Sequence, residues 1–266
     1  MNGLASGKTG GPWPERCLGA VSLTFDDGLR SHLETAIPLL DEHRLNGTFY
    51  LNPPRQGDEA EWRERLAPWH AAARSGHEIG NHSLTHPCSE NFAFKAGARG
   101  LEHMTLDEIE GDVLEAERRL RAAIPEQHER TFAYPCYQTY VGAGIGRRSY
   151  VPVIARHFAG ARALGETAND PERCDLHCLW SHPVERQTGA AMVGLAERAA
   201  AEGRWTVLTF HGVHEGHLSV AEGDLRELCA FLERHRERIW TVPLVTVARR
   251  VRDWRQGGKE REDEVE

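Results

Sequence analysis

The chain has 266 residues, 40% of them hydrophobic and 27% charged, with a net charge of −8. That is enough for one large barrel or two small domains, in ordinary globular proportions. No stretch approaches the ~18 apolar residues of a membrane span, and an acidic surface opposes nucleic acid and anionic membranes, so neutral or cationic substrates fit better. The opening "MNGLASGKTGGPWPERC" has one Lys and lacks the apolar centre of a signal peptide. The expectation is a cytoplasmic protein, or a secreted one from which a signal has been removed. The six cysteines are scattered, unlike a small disulfide scaffold, and read as free thiols in packed positions.

In chain order, residues 1–16 read as a polar tail; their "GLASGKTG" is one residue short of a phosphate loop and follows no strand. A first strand, "GAVSLTF" (19–25), runs into Asp26, Asp27 and Gly28. Residues 30–43 are helix-like despite Pro38, with Leu33, Ile37 and Leu40 on one side. Strands follow at 47–51 and 77–81, the second leading into "HSLTH". A helix over 105–121 opens with Thr105 and Glu108 spaced as a capping box, then shows the apolar stripe Ile109, Val113, Ala116, Leu120. The strand at 130–134 ends in "PCY", and the strand at 205–210 ends in "HG". A helix over 219–235 shows Ser219 and Glu222 as its box and Leu225, Leu228 and Leu232 inward. A strand at 238–242 precedes a charged tail at 255–266. Strands alternating with helices imply parallel βα units. At a length near the ~250 residues typical of a (β/α) barrel, a single barrel over 17–254 leads, and an open doubly wound sheet is the rival.

In parallel α/β folds chemistry gathers at the C-terminal ends of the strands. Four polar clusters fall there: Asp26 with Asp27, His82 with His86, the turn at Cys136, and His211. Two imidazoles and one carboxylate form a common three-ligand set that leaves a position for water. The adjacent acids then divide the labour. One ligates the metal, and its neighbour accepts a proton from the attacking water. A nearby cation also relieves their repulsion. His211 is placed to act as the complementary acid.

"TFDDG", "HSLTH" and "LTFHG", in this order, resemble the polysaccharide deacetylases, the NodB-homology enzymes of carbohydrate esterase family 4. "GTFYL" and "SGHEIGNHS" look like that family's connecting strands, so the resemblance runs from about residue 18 to about 250. It implies an α/β fold, a distorted (β/α)7-type barrel, and removal of acetyl groups from an acetylated carbohydrate. Carried over, it makes Asp26 the general base, Asp27, His82 and His86 the metal ligands, and His211 the general acid. The backbone N–H of Cys136 would hold the oxyanion. One divalent ion is implied, zinc first, with cobalt, nickel or manganese as alternatives.

Two departures stand out. The family's third motif carries an Arg that pairs with the base; here "FAYPCY" has Ala133 in its place and Tyr137 where a Gly is usual. Another group must hold Asp26, and without a cationic partner its pKa is expected to be higher. Tyr137 is a candidate sugar contact. The fourth motif is not legible, with Asp175 and Trp180 as candidates. His77 and Asn81 are candidates for orienting the ligands. The tryptophans at 13, 62, 69 and 205 read as packing groups, and His214 and His217 as members of a polar loop. Two other readings stand beside deacetylation: an amidohydrolase acting on a small cyclic amide such as a ureide, and a silent sugar-binding domain. The intact set Asp26, Asp27, His82, His86 and His211 argues against silence.

Overall fold

The computed structural model describes residues 11–14, 16–95 and 99–263. Seven strands form its centre: β1 (Gly19–Phe25), β2 (Thr48–Leu51), β3 (Glu78–Asn81), β4 (Phe132–Ala133), β5 (Ala161–Leu164), β6 (Leu179–Pro183) and β7 (Trp205–Phe210). Each pairs in parallel with the next, and β7 pairs back onto β1 from Ala20↔Trp205 to Phe25↔Phe210. That closure excludes the open sheet. An eighth strand, β8 (Ile239–Thr241), pairs with the lower part of β1, and β2 takes over at Thr24 and Phe25.

Helices α1 (Ile37–Glu42), α2 (Glu59–Arg74), α3 (Leu106–Ala123), α4 (Val151–Ala155), α5 (Gly189–Ala201), α6 (Glu222–Arg234) and α7 (Leu244–Asp263) occupy the connections and the C-terminal end. The box at Thr105 and Glu108 closes reciprocally at the start of α3, as the spacing predicts. The box at Ser219 and Glu222 does not form. Ala221 is the N-cap of α6, and the Glu222 N–H donates instead to His214 Nε2 at 3.0 Å. Residues 30–43 are helical, but through a π turn, His32–Ala36, that leads into α1.

The barrel is lined the opposite way from a simple hydrophobic core. The Arg162 side chain on β5 is paired with Asp26 at the end of β1. Those strands are not neighbours, so the contact crosses the lumen and both groups point inward. With a two-residue period, Ser22 and Thr24 also face in, while Val21, Leu23 and Phe25 face out beneath the helices. Phe25 stacks on Phe49 and Phe210, with ring centres 4.8 and 4.9 Å apart; each such pair contributes about 0.5–1.5 kcal/mol beyond its burial. The apolar core is therefore a shell between barrel and helices, around a largely polar lumen. Inside it, the Tyr50 ring passes over Gly80, where an added Cβ would lie 2.3 Å from that ring, and the Tyr50 hydroxyl meets Thr131 Oγ1 at 2.7 Å.

Both expected tails are partly built into the fold. Trp13 is buried and its indole N–H donates to the Gly203 carbonyl at 3.1 Å. Helix α7 runs past residue 254 to Asp263, and Arg255 donates to the carbonyls of Pro171 and Cys174 at 2.8 and 2.9 Å. Residues 1–10 of the expected N-terminal tail lie outside the described residues. Among the described residues, no helix is long and apolar enough to cross a membrane.

Candidate metal centre

At the C-terminal mouth the chain leaves β1 through Asp26 and turns at once. Asp27 takes a left-handed φ of 74°, and Gly28 follows at 59°. The turn breaks the strand alternation, so both carboxylates reach one small volume. A left-handed non-glycine residue carries a steric penalty that a fold keeps only where surrounding contacts enforce it. Ser83 and His86 share this conformation, with φ of 66° and 50°.

The loop carrying both imidazoles is tied down on three sides. Asn52 Nδ2 donates to the carbonyls of His82 and Ser83 at 2.6 and 2.9 Å. Asn81 Oδ1 accepts from the Ser83 N–H at 2.7 Å, which gives Asn81 the orienting role expected for it. Asp112, on α3, accepts from the N–H groups of Leu84 and Thr85 at 2.9 and 3.2 Å. Asn52 and Asp112 had no signature in the sequence, since each is a lone polar residue far from the motif it holds. His77 plays no such part: it sits at the opposite end of β3, accepts from the Gly47 N–H and contacts Asp41.

The three expected ligands converge. Asp27 Oδ1 lies 3.4 Å from His86 Nε2 and 3.6 Å from His82 Nε2. Donor atoms on one tetrahedral ion with bonds of about 2.0–2.1 Å sit at comparable spacings, so the set fits a divalent cation. His82 Nδ1 lies 2.8 Å from the Ala133 carbonyl; donating there leaves Nε2 as a lone pair aimed at the cluster. Burial and the Asp26 charge both push the Asp27 pKa up, a penalty that a cation in the cluster removes. Burial pushes the His82 pKa down, which also suits a neutral ligand.

What holds Asp26 is Arg162. Ala133 on β4 and Arg162 on β5 are register partners, Ala133↔Arg162. The guanidinium absent from position 133 therefore enters the lumen from the next strand, at the same height. Arg162 is fully buried. Burial by itself raises the Asp26 pKa, but Arg162, with His82 and His211, outweighs it and holds the group at about 2. The expectation of a raised pKa is thus corrected: the partner is present, one strand over.

His211 follows β7, and the Asp26 N–H donates to the carbonyl of the preceding residue, Phe210, at 2.9 Å. His32, enclosed by Phe25, Phe49 and Trp69, lies with Nε2 2.6 Å from the His211 carbonyl. The carboxylate facing the His211 ring is Glu185, with Oε1 3.7 Å from Nδ1, beyond hydrogen-bond range. Glu185 follows β6 and so lies at the mouth, whereas Asp175 precedes β6 and lies at the other end. Trp180 is the register partner of Ala163, one step from the inward-facing Arg162 and Leu179. It therefore faces outward and is half exposed, not in the mouth. Tyr137 does lie at the site, its ring centre 5.8 Å from the Arg162 guanidinium.

The cysteine expectation needs one correction. Cys17, Cys174, Cys178 and Cys229 are free, but Cys88 and Cys136 form a disulfide. Cys136 has φ of 51°, so the residue whose N–H is the expected oxyanion donor is fixed in a left-handed turn and covalently tied to the histidine loop. The tryptophans at 13, 62, 69 and 205 are all buried, consistent with packing roles.

Fold and site together define a closed parallel (β/α) barrel with a carboxylate–imidazole cluster and an arginine-held carboxylate at its mouth. Residues 15–140 match the family model of the polysaccharide deacetylases. A chitooligosaccharide deacetylase of Sinorhizobium fredii is 31% identical over 117 residues, 44% of this chain and 46% of that protein. The chain thus spans under half the length of this curated relative. Among solved structures, a Mycobacterium smegmatis chain assigned to the polysaccharide deacetylases superposes with a TM-score of 0.58 at 17% identity, covering 91% of this chain and 92% of its own. A family 4 acetyl xylan esterase of Clostridium thermocellum, in complex with a cobalt ion, gives 0.52 at 21%, covering 86% and 89%. A CE4 family pseudoenzyme of Bacillus anthracis gives 0.51 at 18%, covering 86% and 65%. At these identities the structural likenesses establish the barrel.

Proposed function

We propose that this protein is a metal-dependent hydrolase that removes N- or O-linked acetyl groups from a carbohydrate. The observation that carries the reading is the pairing of Asp26 with a buried Arg162 beside the converged Asp27, His82 and His86. Those three residues would hold one divalent cation, zinc first among cobalt, nickel and manganese. When bound, that ion supplies Lewis-acid chemistry, polarising the acetyl carbonyl and making water nucleophilic at neutral pH. Asp26, kept ionised by Arg162, accepts the proton of the attacking water. The Cys136 N–H donates to the oxyanion that develops at the carbonyl carbon. His211 gives a proton to the departing amine or alcohol. Tyr137 closes one side of the mouth against the sugar. The Cys88–Cys136 bond favours the secreted alternative over a cytoplasmic one, since disulfides persist in oxidising compartments.

The test combines bound-metal content with acetate release from acetylated chito- and xylo-oligosaccharides. The expected outcome is one divalent ion per chain, acetate release from at least one substrate, and loss of release on chelation that re-added metal restores. Metal binding without acetate release, together with hydrolysis of a ureide, would overturn the reading in favour of the cyclic amidohydrolase.

A further inference from the structure

The disulfide lies against the metal cluster. His86 Nδ1 is 3.5 Å from Cys88 Sγ, while its Nε2 is 3.4 Å from Asp27 Oδ1 on the other side of the ring. One ligand atom each from His86, Cys88 and Cys136 lies within 4.8 Å of the other two. As long as the sulfurs are bonded to each other they carry no charge and are poor ligands. Released, they form with His86 a Cys₂His set, a donor combination that selects borderline-soft ions such as zinc and leaves one coordination position open.

We propose that Cys88–Cys136 is a redox-gated metal site: on reduction, Cys88, Cys136 and His86 bind a zinc-class cation. The step balances simply. A dithiol, or a phosphine together with water, supplies two electrons and two protons. The S–S bond breaks, two thiols form, and the dithiol leaves as its disulfide or the phosphine leaves as its oxide, carrying the oxygen of the water. Metal binding then displaces the two thiol protons to solvent. The new site draws on the same imidazole as the catalytic cluster, so thiol redox state and metal occupancy at the mouth become linked. The same step frees the Cys136 turn from the histidine loop. The proposal rests on the catalytic reading only through His86, and it is tested without activity.

The experiment is anaerobic titration of the full chain with cobalt(II), before and after reduction with a phosphine that is then removed. Thiolate-to-cobalt charge transfer in the near ultraviolet reports sulfur ligation. The band is expected to be absent from the oxidised protein, present in the reduced one, and lost completely in reduced Cys88→Ser/Cys136→Ser. A reduced protein that binds cobalt without the band overturns the proposal. So does an equal band in the double variant, which would assign it to other thiols such as Cys174 and Cys178. Near-ultraviolet circular dichroism on reduced wild-type chain covers the remaining outcome. If reduction without any substitution unfolds the protein, the bond is a structural staple and the proposal fails. Absence of cobalt binding to the oxidised chain would instead count against the Asp27, His82 and His86 site.

Discussion

Two carboxylates are buried inside the same barrel, and their surroundings push them in opposite directions. Asp26, at the mouth, faces the guanidinium of Arg162 and is held at about pKa 2. Glu78, at the lower end, makes no ion pair among the described residues; the buried Arg130 feels its charge but pairs with Glu117 instead. Glu78 accepts from Thr48 Oγ1, Thr131 N–H, Thr131 Oγ1 and the Val245 N–H at the start of α7, at 2.6–2.9 Å. Burial nevertheless pushes the Glu78 pKa up. Four neutral donors satisfy a buried carboxylate without compensating its lost hydration, whereas one buried cation overcompensates. The first arrangement suits a joint that stitches β2, β3, β4 and α7 together. The second suits a proton acceptor that must stay ionised.

The largest effect is expected at Asp26. Asp26→Asn should lower turnover by roughly 10²–10⁴ while the metal content, read by elemental analysis, stays at the wild-type level. Loss of the metal instead would mean the two adjacent acids had exchanged roles. Next in size, Arg162→Met leaves a buried charge unpaired and should cost about 3–5 kcal/mol in urea unfolding, with activity lost as well. Adding Ala133→Arg to that variant should restore part of both, because the two positions are register partners facing the same lumen. No recovery would show that the strand from which the guanidinium enters matters as much as its charge.

At the other carboxylate, Glu78→Gln should cost about 1–3 kcal/mol, since the new NH₂ group must face a donor. kcat should hold at the wild-type value, and a large fall in kcat at unchanged stability would erase the distinction between the two ends. The smallest effect is its pH dependence. A carboxyl with a raised folded pKa contributes its full stability below its unfolded pKa, near 4.3, and loses it as pH rises through the folded value. The stability gap between wild type and Glu78→Gln should therefore be widest in acid and narrow with rising pH. Denaturant midpoints across that range measure it, and a gap that widened would reverse the assignment.

The legible elements were those whose signal is local. β1 and β7 match their apolar runs residue for residue, and α3 starts at its capping box. β5 and β6 have no apolar run because each is short and interrupted by polar or ring-constrained residues: "ARAL" places Arg162 inside, and "LWSHP" carries a serine, a histidine and a proline. The box at Ser219 and Glu222 failed because Ser219 is taken up in a short strand pair with Gly212 and His214 serves the helix end instead. Glu185, Asn52 and Asp112 had no motif, since their roles exist only through the loops they approach.

By itself the sequence determined the parallel βα alternation and the identity of the mouth residues Asp26, Asp27, His82, His86 and His211. Those signals are written in consecutive residues, at strand ends where the chain must turn. Only the tertiary structure decided that the sheet closes, that Arg162 replaces the arginine absent at position 133, and that Cys88 and Cys136 join. Each of these is a contact between segments far apart in the chain, fixed by strand register and lumen geometry. Spacing along the sequence carries no trace of either.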